Sequence, residues 1–396
     1  MLTKAFIPYK GYYSTPFSSW QRSLSNENAI VLGGETSKRW LAEKNWDPKI
    51  FDYLILGITV GQHHQFFSSP WSAALMGAGS IPGLAMSQAC TTGATCLYQA
   101  SVGIETGLYK NCYVLTTDRC SNAPHTIWPN PNGPGGMVVS ENWMMDNFDS
   151  DPNVGLRMIE TAEKVAKEAG VTKEECDEIS LRRYEQYTMS LENDREFQKK
   201  FFFPAEVKVS KKKTILVEED EGIIESTKEG LAKLKPLIPD GVLTFGSQTH
   251  PADANAALVV TTEDKAQELS ADPSIKIQVV TYGYAREKKG YMAAAPVPAA
   301  KMALENAGLK VEEMKAIKTH NPFIVNDLYM AQQMGIDPKG FNNYGCSMIY
   351  GHPQAPTAPR AIMEGIEEVV KLGGGYLLWA GCAAGDTAGA VILKIS

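Results

Sequence analysis

The stretch MSQACTTGATCLYQASVGIETG, residues 86–107, decides the class of fold. Small residues and glycine around Cys90 allow a tight turn, and the pattern that follows predicts a long helix. A cysteine at a helix N-terminus meets the positive end of the helix dipole, which favours the thiolate and nucleophilic chemistry. Taken alone, Cys90 is better explained as an inert buried cysteine.

Strands and helices alternate on both sides of this stretch. Runs rich in β-branched residues predict buried strands at 53–59, 113–117, 257–261 and 390–395. Helix patterns and their caps predict helices at 158–169, from 172 onward and at 298–307. Gly-Ile-Glu follows Cys90 by thirteen residues and follows His352 by the same interval. The alternation predicts an α/β fold, and the repeated tripeptide predicts that the two residues begin equivalent helices in two like halves.

Composition excludes several classes of function. The 396 residues carry a formal net charge of -7, which argues against nucleic-acid binding. No apolar run is long enough to cross a bilayer and the start does not resemble a signal peptide, so the expected location is the cytoplasm. The seven cysteines are scattered, which indicates reduced thiols and no metal site.

Three further segments carry candidate chemistry. His352 lies in NNYGCSMIYGHPQAPTAPR (342–360), a turn from which an imidazole can take a thiol proton. Cys382 lies in WAGCAAGDTAG (379–389), a loop of small residues where a second thiol can exchange a proton. His320 and Asn321 follow a predicted strand, where ligand crevices form in α/β proteins. Each of these residues, taken singly, also has a purely structural explanation.

Together these segments resemble the thiolase family over nearly the whole chain and in the same order. The segment around Cys90 is similar to the nucleophile region of that family, GHP at 351–353 to its histidine motif and GCAAG at 381–385 to its second-cysteine motif. DEGIIESTKEGLAKLKP at 220–236 resembles the signature of its loop domain.

The resemblance implies a thiolase fold of two duplicated, five-layered αβαβα halves with an inserted loop domain. The expected N-terminal half spans 1–122 and 241–268, the loop or lid domain that contacts CoA spans 123–240, and the C-terminal half spans 269–396. Coenzyme A is then a cosubstrate, with no covalently bound cofactor and no metal. The resemblance also implies a homodimer or higher oligomer.

The roles of the residues follow from the same resemblance. Cys90 would attack the 3-oxo carbon of an acyl-CoA with His352 as its base, and Cys382 would protonate the departing enolate. His352 and His320 would form one oxyanion hole, and the backbone amides of Cys90 and Ala384 the other. The expected supporting residues are Asn321 and Gly351.

The chain departs from the usual family pattern at three places. HNPF at 320–323 resembles the histidine-bearing variant of sterol-carrier-type thiolases. Ile224 stands where an arginine often helps to hold the adenine nucleotide of CoA. FGSQTHPADANAA at 245–257 puts Thr249 at the position of a pantetheine-contacting serine and adds His250 beside it.

Aromatic residues predict the kind of acyl group. Phe66, Phe67 and Trp71, with the aromatic residues of the Pro-, Gly- and Asn-rich lid at 121–153, favour a pocket for a bulky or aromatic acyl group, or equally a dimer interface. A substrate such as 2-benzoylsuccinyl-CoA, split with CoA into benzoyl-CoA and succinyl-CoA, fits this pattern. Thiolases of that kind pair with a small subunit that has a zinc ribbon and an OB-fold, so zinc is expected only in such a partner.

Three alternatives stay open at this point. The first is a condensing enzyme similar to acetyl-CoA acetyltransferase, the second is a non-catalytic acyl-CoA binding or scaffold subunit, and the third is a thioester hydrolase. The second cysteine favours a thiolase over the condensing enzyme and the hydrolase, and the intact set of Cys90, His352 and Cys382 argues against the non-catalytic subunit.

Overall fold

The computed structural model describes residues 1–396. The strands are β1 Phe6–Ile7, β2 Tyr12–Ser14, β3 Ser18–Ser19, β4 Tyr53–Gly57, β5 Gly83–Met86, β6 Asn111–Arg119, β7 His125–Pro129, β8 Val138–Asn142, β9 Ala205–Ser210, β10 Lys213–Val217, β11 Ala252–Thr261, β12 Ile277–Arg286, β13 Met314–His320, β14 Gly375–Ala383 and β15 Thr387–Ile395. The helices are α1 Ala29–Glu43, α2 Ser68–Leu75, α3 Thr92–Thr106, α4 Met145–Asp149, α5 Met158–Ala169, α6 Lys173–Met189, α7 Glu192–Arg195, α8 Lys228–Lys233, α9 Glu263–Leu269, α10 Pro296–Ala307, α11 Ile324–Met334, α12 Ser347–Tyr350 and α13 Thr357–Lys371.

One mixed sheet of eleven strands runs through the molecule. Its order is β13-β14-β15-β12-β1-β11-β6-β4-β5, and β2 and β3 also pair with β11. The short strand β1 pairs with both β11 and β12, so it joins the strands of the two halves. The strands β6, β11, β14 and β15 are buried almost throughout, as their nearly continuous apolar runs predict.

The two halves share one topology. In the first half β4 and β6 are parallel and β6 and β11 antiparallel, and in the second half β13 and β14 are parallel and β14 and β15 antiparallel. Helices α3 and α13 pack together between the two sets of strands, while α1 and α10 cover the outer faces. This is the predicted five-layered arrangement. Cys90 precedes α3 and His352 precedes α13, so the two residues begin equivalent helices, as the repeated tripeptide predicts.

The inserted segment between β6 and β11 packs against the second half. Helix α5 contacts α11, and α6 contacts α11 and α12. The capping box of Thr172 and Glu175 and the left-handed Gly170 are present as predicted. The Pro-, Gly- and Asn-rich composition of the lid at 121–153 predicts no regular structure. This prediction is wrong, because β7 and β8 form a hairpin and α4 follows it. The domain boundaries at 122, 240 and 268 stay a prediction.

Buried ion pairs tie the inserted segment to the rest of the chain. Asp220 accepts two hydrogen bonds from Arg360 of α13, at 2.6 and 2.8 Å. Arg183 of α6 pairs with Asp327 of α11 at 2.9 Å, and all four side chains are fully buried. Because an unpaired buried charge is costly, these pairs fix how the insert meets α11 and α13. No helix in the structure is both long enough and apolar enough to cross a membrane.

Candidate active site

Cys90 lies in a sharp turn between β5 and α3. Ala89 before it has a positive φ of 45°, and the helix starts two residues later at Thr92. The thiol is 9% exposed and donates a hydrogen bond to Oε1 of Gln354 at 3.4 Å. The predicted turn into a helix is therefore present, with the sulfur almost closed off from solvent.

Two histidines of the second half meet this thiol. The imidazole rings of His320 and His352 lie 4.1 Å apart between centroids, and their nitrogens lie within 4.8 Å of each other and of Sγ of Cys90. The Nε2 atoms of both rings are buried without a protein partner. Buried polar atoms are normally hydrogen-bonded. Two unpartnered nitrogens therefore indicate a place where a substrate oxygen or a transferred proton binds.

Hydroxyl groups hold the other nitrogen of each ring. Nδ1 of His352 lies 2.7 Å from Oγ1 of Thr357, and Nδ1 of His320 lies 2.8 Å from Oγ of Ser347. Ser347 has one proton, and its alternative acceptor, Oδ1 of Asn321, is farther away at 3.2 Å. We therefore assign the Ser347 proton to the shorter bond, with His320, which puts the ring proton on Nε2, facing the site.

Cys382 ends β14 on the other side of the site. Its thiol is fully buried and accepts a hydrogen bond from Nδ2 of Asn326 at 3.3 Å. Cys90 is close enough to raise the pKa of Cys382, although burial raises it more. The backbone of Ala384 reaches Cys90 and acts to lower the pKa of its thiol. Both thiols and the Ala384 amide therefore belong to one site.

The ionisation state of the site differs from what the helix position of Cys90 indicates. Burial raises the pKa of Cys90 to about 12, and the backbone N–H groups of Ala384 and Cys90 offset only part of this rise. Burial lowers the pKa of His352 to about 3, and it lowers that of His320 well below its ordinary value. Desolvation therefore outweighs the helix dipole at this thiol. The resting pair is a neutral thiol and a neutral imidazole.

Asn321 supports the site from behind. Its Nδ2 donates to Asp327 at 2.7 Å, and its Oδ1 accepts from the backbone amide of Met348 and lies 3.2 Å from Oγ of Ser347. Because its carboxamide contacts these partners, Asn321 holds Ser347 in the position where it bonds to His320.

Gly351 adopts a backbone conformation that the turn before His352 requires. Its φ is +93°, and a Cβ atom would lie only 2.7 Å from Cε1 of His250. The backbone carbonyl of His250 in turn accepts a hydrogen bond from the amide of His352 at 2.8 Å. The hydroxyl of Thr249 donates to the carbonyl of Ser347 at 2.5 Å, so it is open to a ligand only as an acceptor. Both predicted pantetheine contacts thus also hold the catalytic loops in place.

Sequence reasoning missed two residues of this site. Gln354 is one, and the only signal for it is a polar side chain in the Pro-bounded turn after His352. Asp118 is the other: at the end of β6 it accepts hydrogen bonds from the backbone amides of Thr59, Val60 and Ala355. Burial raises the pKa of Asp118 to about 7, against the lowering by those amides. One carboxyl group therefore joins the loops from the two halves.

The lid contacts the site through a few aromatic and apolar residues. Met144 packs against Val60 and Cys120, with Trp143 and Phe148 beside them. The thiol of Cys120 lies 3.8 Å from the carbonyl oxygen of His352. The lid therefore comes within one residue layer of the site.

The other predicted pocket aromatics lie at the surface of the single chain. Phe66 is 94% exposed and Phe67 is 60% exposed, and their rings contact each other. Their place in an acyl pocket or at a dimer interface stays a prediction. Trp71 is partly buried and packs against the first-half core.

The site also contains three groups of the kind that bind metal ions. Sγ of Cys90 and nitrogens of His320 and His352 lie within 4.8 Å of one another. Structural zinc takes four ligands from protein side chains, one more than this cluster provides. The prediction of no metal site rests on sequence spacing and stays a prediction.

Comparisons with known proteins agree with this geometry. Residues 11–264 match the model of the thiolase N-terminal domain, and residues 274–395 match that of the thiolase C-terminal domain. The chain therefore belongs to the thiolase family and is an acyltransferase enzyme.

Individual relatives match over nearly their full length. A probable acetyl-CoA acetyltransferase of Mycobacterium leprae is 26% identical, with 96% of this chain and 97% of the relative covered. The mitochondrial 3-ketoacyl-CoA thiolase of Homo sapiens is 25% identical, with 96% of each chain covered. A crystal structure of human mitochondrial 3-ketoacyl-CoA thiolase in complex with CoA superposes with a TM-score of 0.89 at 24% identity, over 99% of this chain and 98% of that chain. This last likeness confirms the thiolase fold.

Proposed function

We propose that this protein is a thiolase that cleaves a 3-oxoacyl-CoA with CoA through an acyl-Cys90 intermediate. The observation that carries the proposal is the meeting of two thiols and two imidazoles from opposite halves of the chain. Hydrolysis of a thioester needs one thiol and one base. Cleavage of a carbon–carbon bond also needs a group that protonates the departing enolate. Cys382 beside Cys90 supplies that group.

The reaction starts with transfer of the Cys90 proton to Nε2 of His352. The thiolate attacks the 3-oxo carbon, and the bond between the 2- and 3-carbons breaks with its electron pair on the departing enolate. Cys382 gives its proton to that enolate, which leaves as the acyl-CoA that keeps the original CoA, while the shortened acyl group stays on Cys90. The thiol of free CoA then attacks the acyl-Cys90 thioester and its proton restores Cys382. Finally, the departing sulfur of Cys90 takes back its proton from His352.

Each oxygen that gains charge has donors in reach. The unpartnered Nε2 atoms of His320 and His352 face the same space, and the His320 ring carries its proton there. The backbone amides of Cys90 and Ala384 lie at the sulfur. Removal of one such donor from an enzyme typically costs about 3–4 kcal/mol of transition-state stabilisation.

Intact-protein mass spectrometry tests the acyl intermediate. The wild type, Cys90→Ser and the control Cys96→Ser are incubated with acetyl-CoA, benzoyl-CoA and longer acyl-CoAs. Cys96 is a matched control because it is fully buried in α3, one and a half turns beyond the nucleophile turn. An adduct in the wild type and Cys96→Ser, absent from Cys90→Ser and discharged by CoA, is the expected result. An adduct that survives in Cys90→Ser would refute the assignment of the nucleophile.

We further propose a bulky or aromatic acyl group, such as the benzoyl group of 2-benzoylsuccinyl-CoA. Support comes from Trp143 and Met144, which the lid places next to Cys120. The M. leprae relative named an acetyl-CoA acetyltransferase favours a competing acetyl group, and with it the condensing direction.

Two tryptophans of the lid provide a test that distinguishes a benzoyl from an acetyl substrate. Trp143 donates from Nε1 to the carbonyl of Thr59, whereas Trp128 is 49% exposed and bonds to Glu141 within the lid hairpin. Trp143→Ala should slow benzoylation of Cys90 at least tenfold relative to acetylation, and Trp128→Ala should leave the ratio unchanged. Faster acetylation than benzoylation in the wild type would reject the aromatic substrate.

CoA is the proposed cosubstrate, with its pantetheine arm near Thr249 and His250. Ile224 is 77% exposed and offers no charge to the CoA phosphates, so another group must hold them. We propose that a small zinc-ribbon and OB-fold subunit supplies the group that holds the CoA phosphates. It would form a cytoplasmic complex with this chain and a second copy of it. Purification of the tagged chain from its native cells, with zinc analysis, tests this. Full cleavage activity of the chain alone would reject the need for the subunit.

A further inference from the structure

Gln354 lies at the reacting sulfur. It is 4% exposed, and its Oε1 accepts the hydrogen bond of Sγ of Cys90 at 3.4 Å. The same carboxamide acts to raise the pKa of His352, against the larger lowering by burial. Gln354 therefore bonds to the thiol that gives up the first proton and lies close enough to the imidazole of His352, which takes that proton, to affect its pKa.

The backbone of Gln354 is held in an uncommon conformation. Its φ is +61°, in the left-handed region that non-glycine residues seldom adopt. The amide of Thr357 donates to the carbonyl of Gln354 at 3.2 Å, and the next amide, that of Ala355, donates to Asp118 at 3.0 Å. Strain of this kind persists only where the surroundings enforce it, and it concentrates at functional sites.

The proton transfer needs such a group, because the site resists charge. A buried neutral thiol and imidazole must become a thiolate and an imidazolium before attack on the substrate. A carboxamide has an acceptor oxygen and a donor nitrogen at nearly the same place. Rotation of its terminal torsion exchanges the two without any movement of the backbone, and terminal torsions of this type have broad, low wells.

We propose that Gln354 is a positioning residue that turns over during proton transfer. In the resting site Oε1 accepts the Sγ–H bond of Cys90 and aims the thiol. When the proton moves to Nε2 of His352, the carboxamide rotates and its N–H donates to the thiolate. No atom is gained or lost, since the proton leaves sulfur for nitrogen and the carboxamide stays neutral. This role rests on the proposed function of Cys90 and His352.

Two variants of nearly equal size test the turnover. Gln354→Met keeps the length of the side chain but has no amide donor. Gln354→Glu keeps the acceptor, loses the donor and adds a charge that opposes the thiolate. Alkylation of Cys90 by iodoacetamide is followed by intact mass from pH 6 to 10, with Cys90→Ser as the background for the other cysteines.

The expected order of alkylation rates at pH 7 is wild type, then Gln354→Met, then Gln354→Glu. The loss for Gln354→Met should be about tenfold at every pH of the series, because the whole series lies below the raised pKa of Cys90 and a tenfold loss corresponds to about one pKa unit. A Met variant within twofold of the wild type, or a Glu variant as fast as the Met variant, would overturn the proposal. A merely structural role would slow both variants alike.

The assay also stands apart from the proposed function. Alkylation needs no acyl-CoA, so the order of the variants decides the role of Gln354 even if no CoA donor acylates the wild type. Failure of acylation with the alkylation order intact would reject the thiolase reaction alone. Thermal unfolding of each variant shows whether it is folded, and Gln354→Glu, which matches the shape of Gln354 most closely, still decides the question if Gln354→Met is unfolded.

Discussion

Replacement of Asp220 by alanine should loosen the inserted segment from the second half. The carboxylate accepts two hydrogen bonds from Arg360, one from the amide of Phe17 at 2.8 Å and one from the hydroxyl of Tyr187 at 3.1 Å. Truncation leaves the buried guanidinium with Glu364 as its remaining carboxylate partner, at 3.1 Å. Loss of one partner of a buried pair costs about 3–5 kcal/mol. Since the whole free energy of unfolding is about 5–15 kcal/mol, Asp220→Ala should shift a urea unfolding curve strongly.

The adjacent residue supplies the control. Glu219 pairs with Arg195 at 3.0 Å, but its carboxylate is 70% exposed. Exposed pairs contribute about 0–1 kcal/mol, so Glu219→Ala should unfold almost as the wild type does. If Asp220→Ala and Glu219→Ala differ by less than about 1 kcal/mol, the view that this buried pair anchors the insert is refuted.

Three other perturbations follow from the site. Asp118→Asn leaves one of three backbone amides without an acceptor, so it should slow acylation of Cys90 at least tenfold. The control Asp253→Asn should change the rate of acylation less than twofold, because one carboxylate oxygen of Asp253 has no partner. The lowered pKa of His352 means that the unfolded chain binds its proton between about pH 6.5 and 3 and the folded chain does not. Stability should therefore fall as the pH drops through this window, and His352→Gln should flatten the fall in a calorimetric pH series. Asn326→Ala removes the donor to Cys382 and should slow both half-reactions in a rapid-quench assay, because Cys382 exchanges a proton in each, but it should spare the alkylation of Cys90 by iodoacetamide. An equal loss in alkylation would contradict separate roles for the two thiols.

Most of the fold could be predicted from local patterns. Buried strands appear as apolar runs, and Gly-Ile-Glu at 103–105 and 365–367 marks the two equivalent helices. The start of α13 could not be located, because three prolines in PQAPTAP conceal it. Helix α13 begins at Thr357 with Pro359 in its first turn, where a missing N–H costs nothing. The lid hairpin was missed for a related reason, since the turn PNPNGPGG dominates the composition around two short strands.

The site could be predicted only in part. Residue types with chemistry of their own, such as Cys90 and His352, stand out from the sequence. Gln354 and Asp118 do not, because their roles arise from contacts across 264 and 237 residues of chain. The ionisation state was beyond reach for the same reason: a helix N-terminus can be predicted locally, whereas burial depends on every element that packs around it.

The neutral resting state has a consequence for how the site works. A buried thiol with a pKa raised to about 12 is a poor target for oxidants and chance electrophiles, since the thiolate is the reactive form. Charge separation becomes favourable only when a substrate carbonyl arrives, because the attack moves the new charge from sulfur to an oxygen. The free Nε2 atoms of His320 and His352 lie where they can bind that oxygen, and they have no other partner in the protein. Burial therefore couples formation of the thiolate to binding of the substrate, so Cys90 ionises only in the complex in which it reacts.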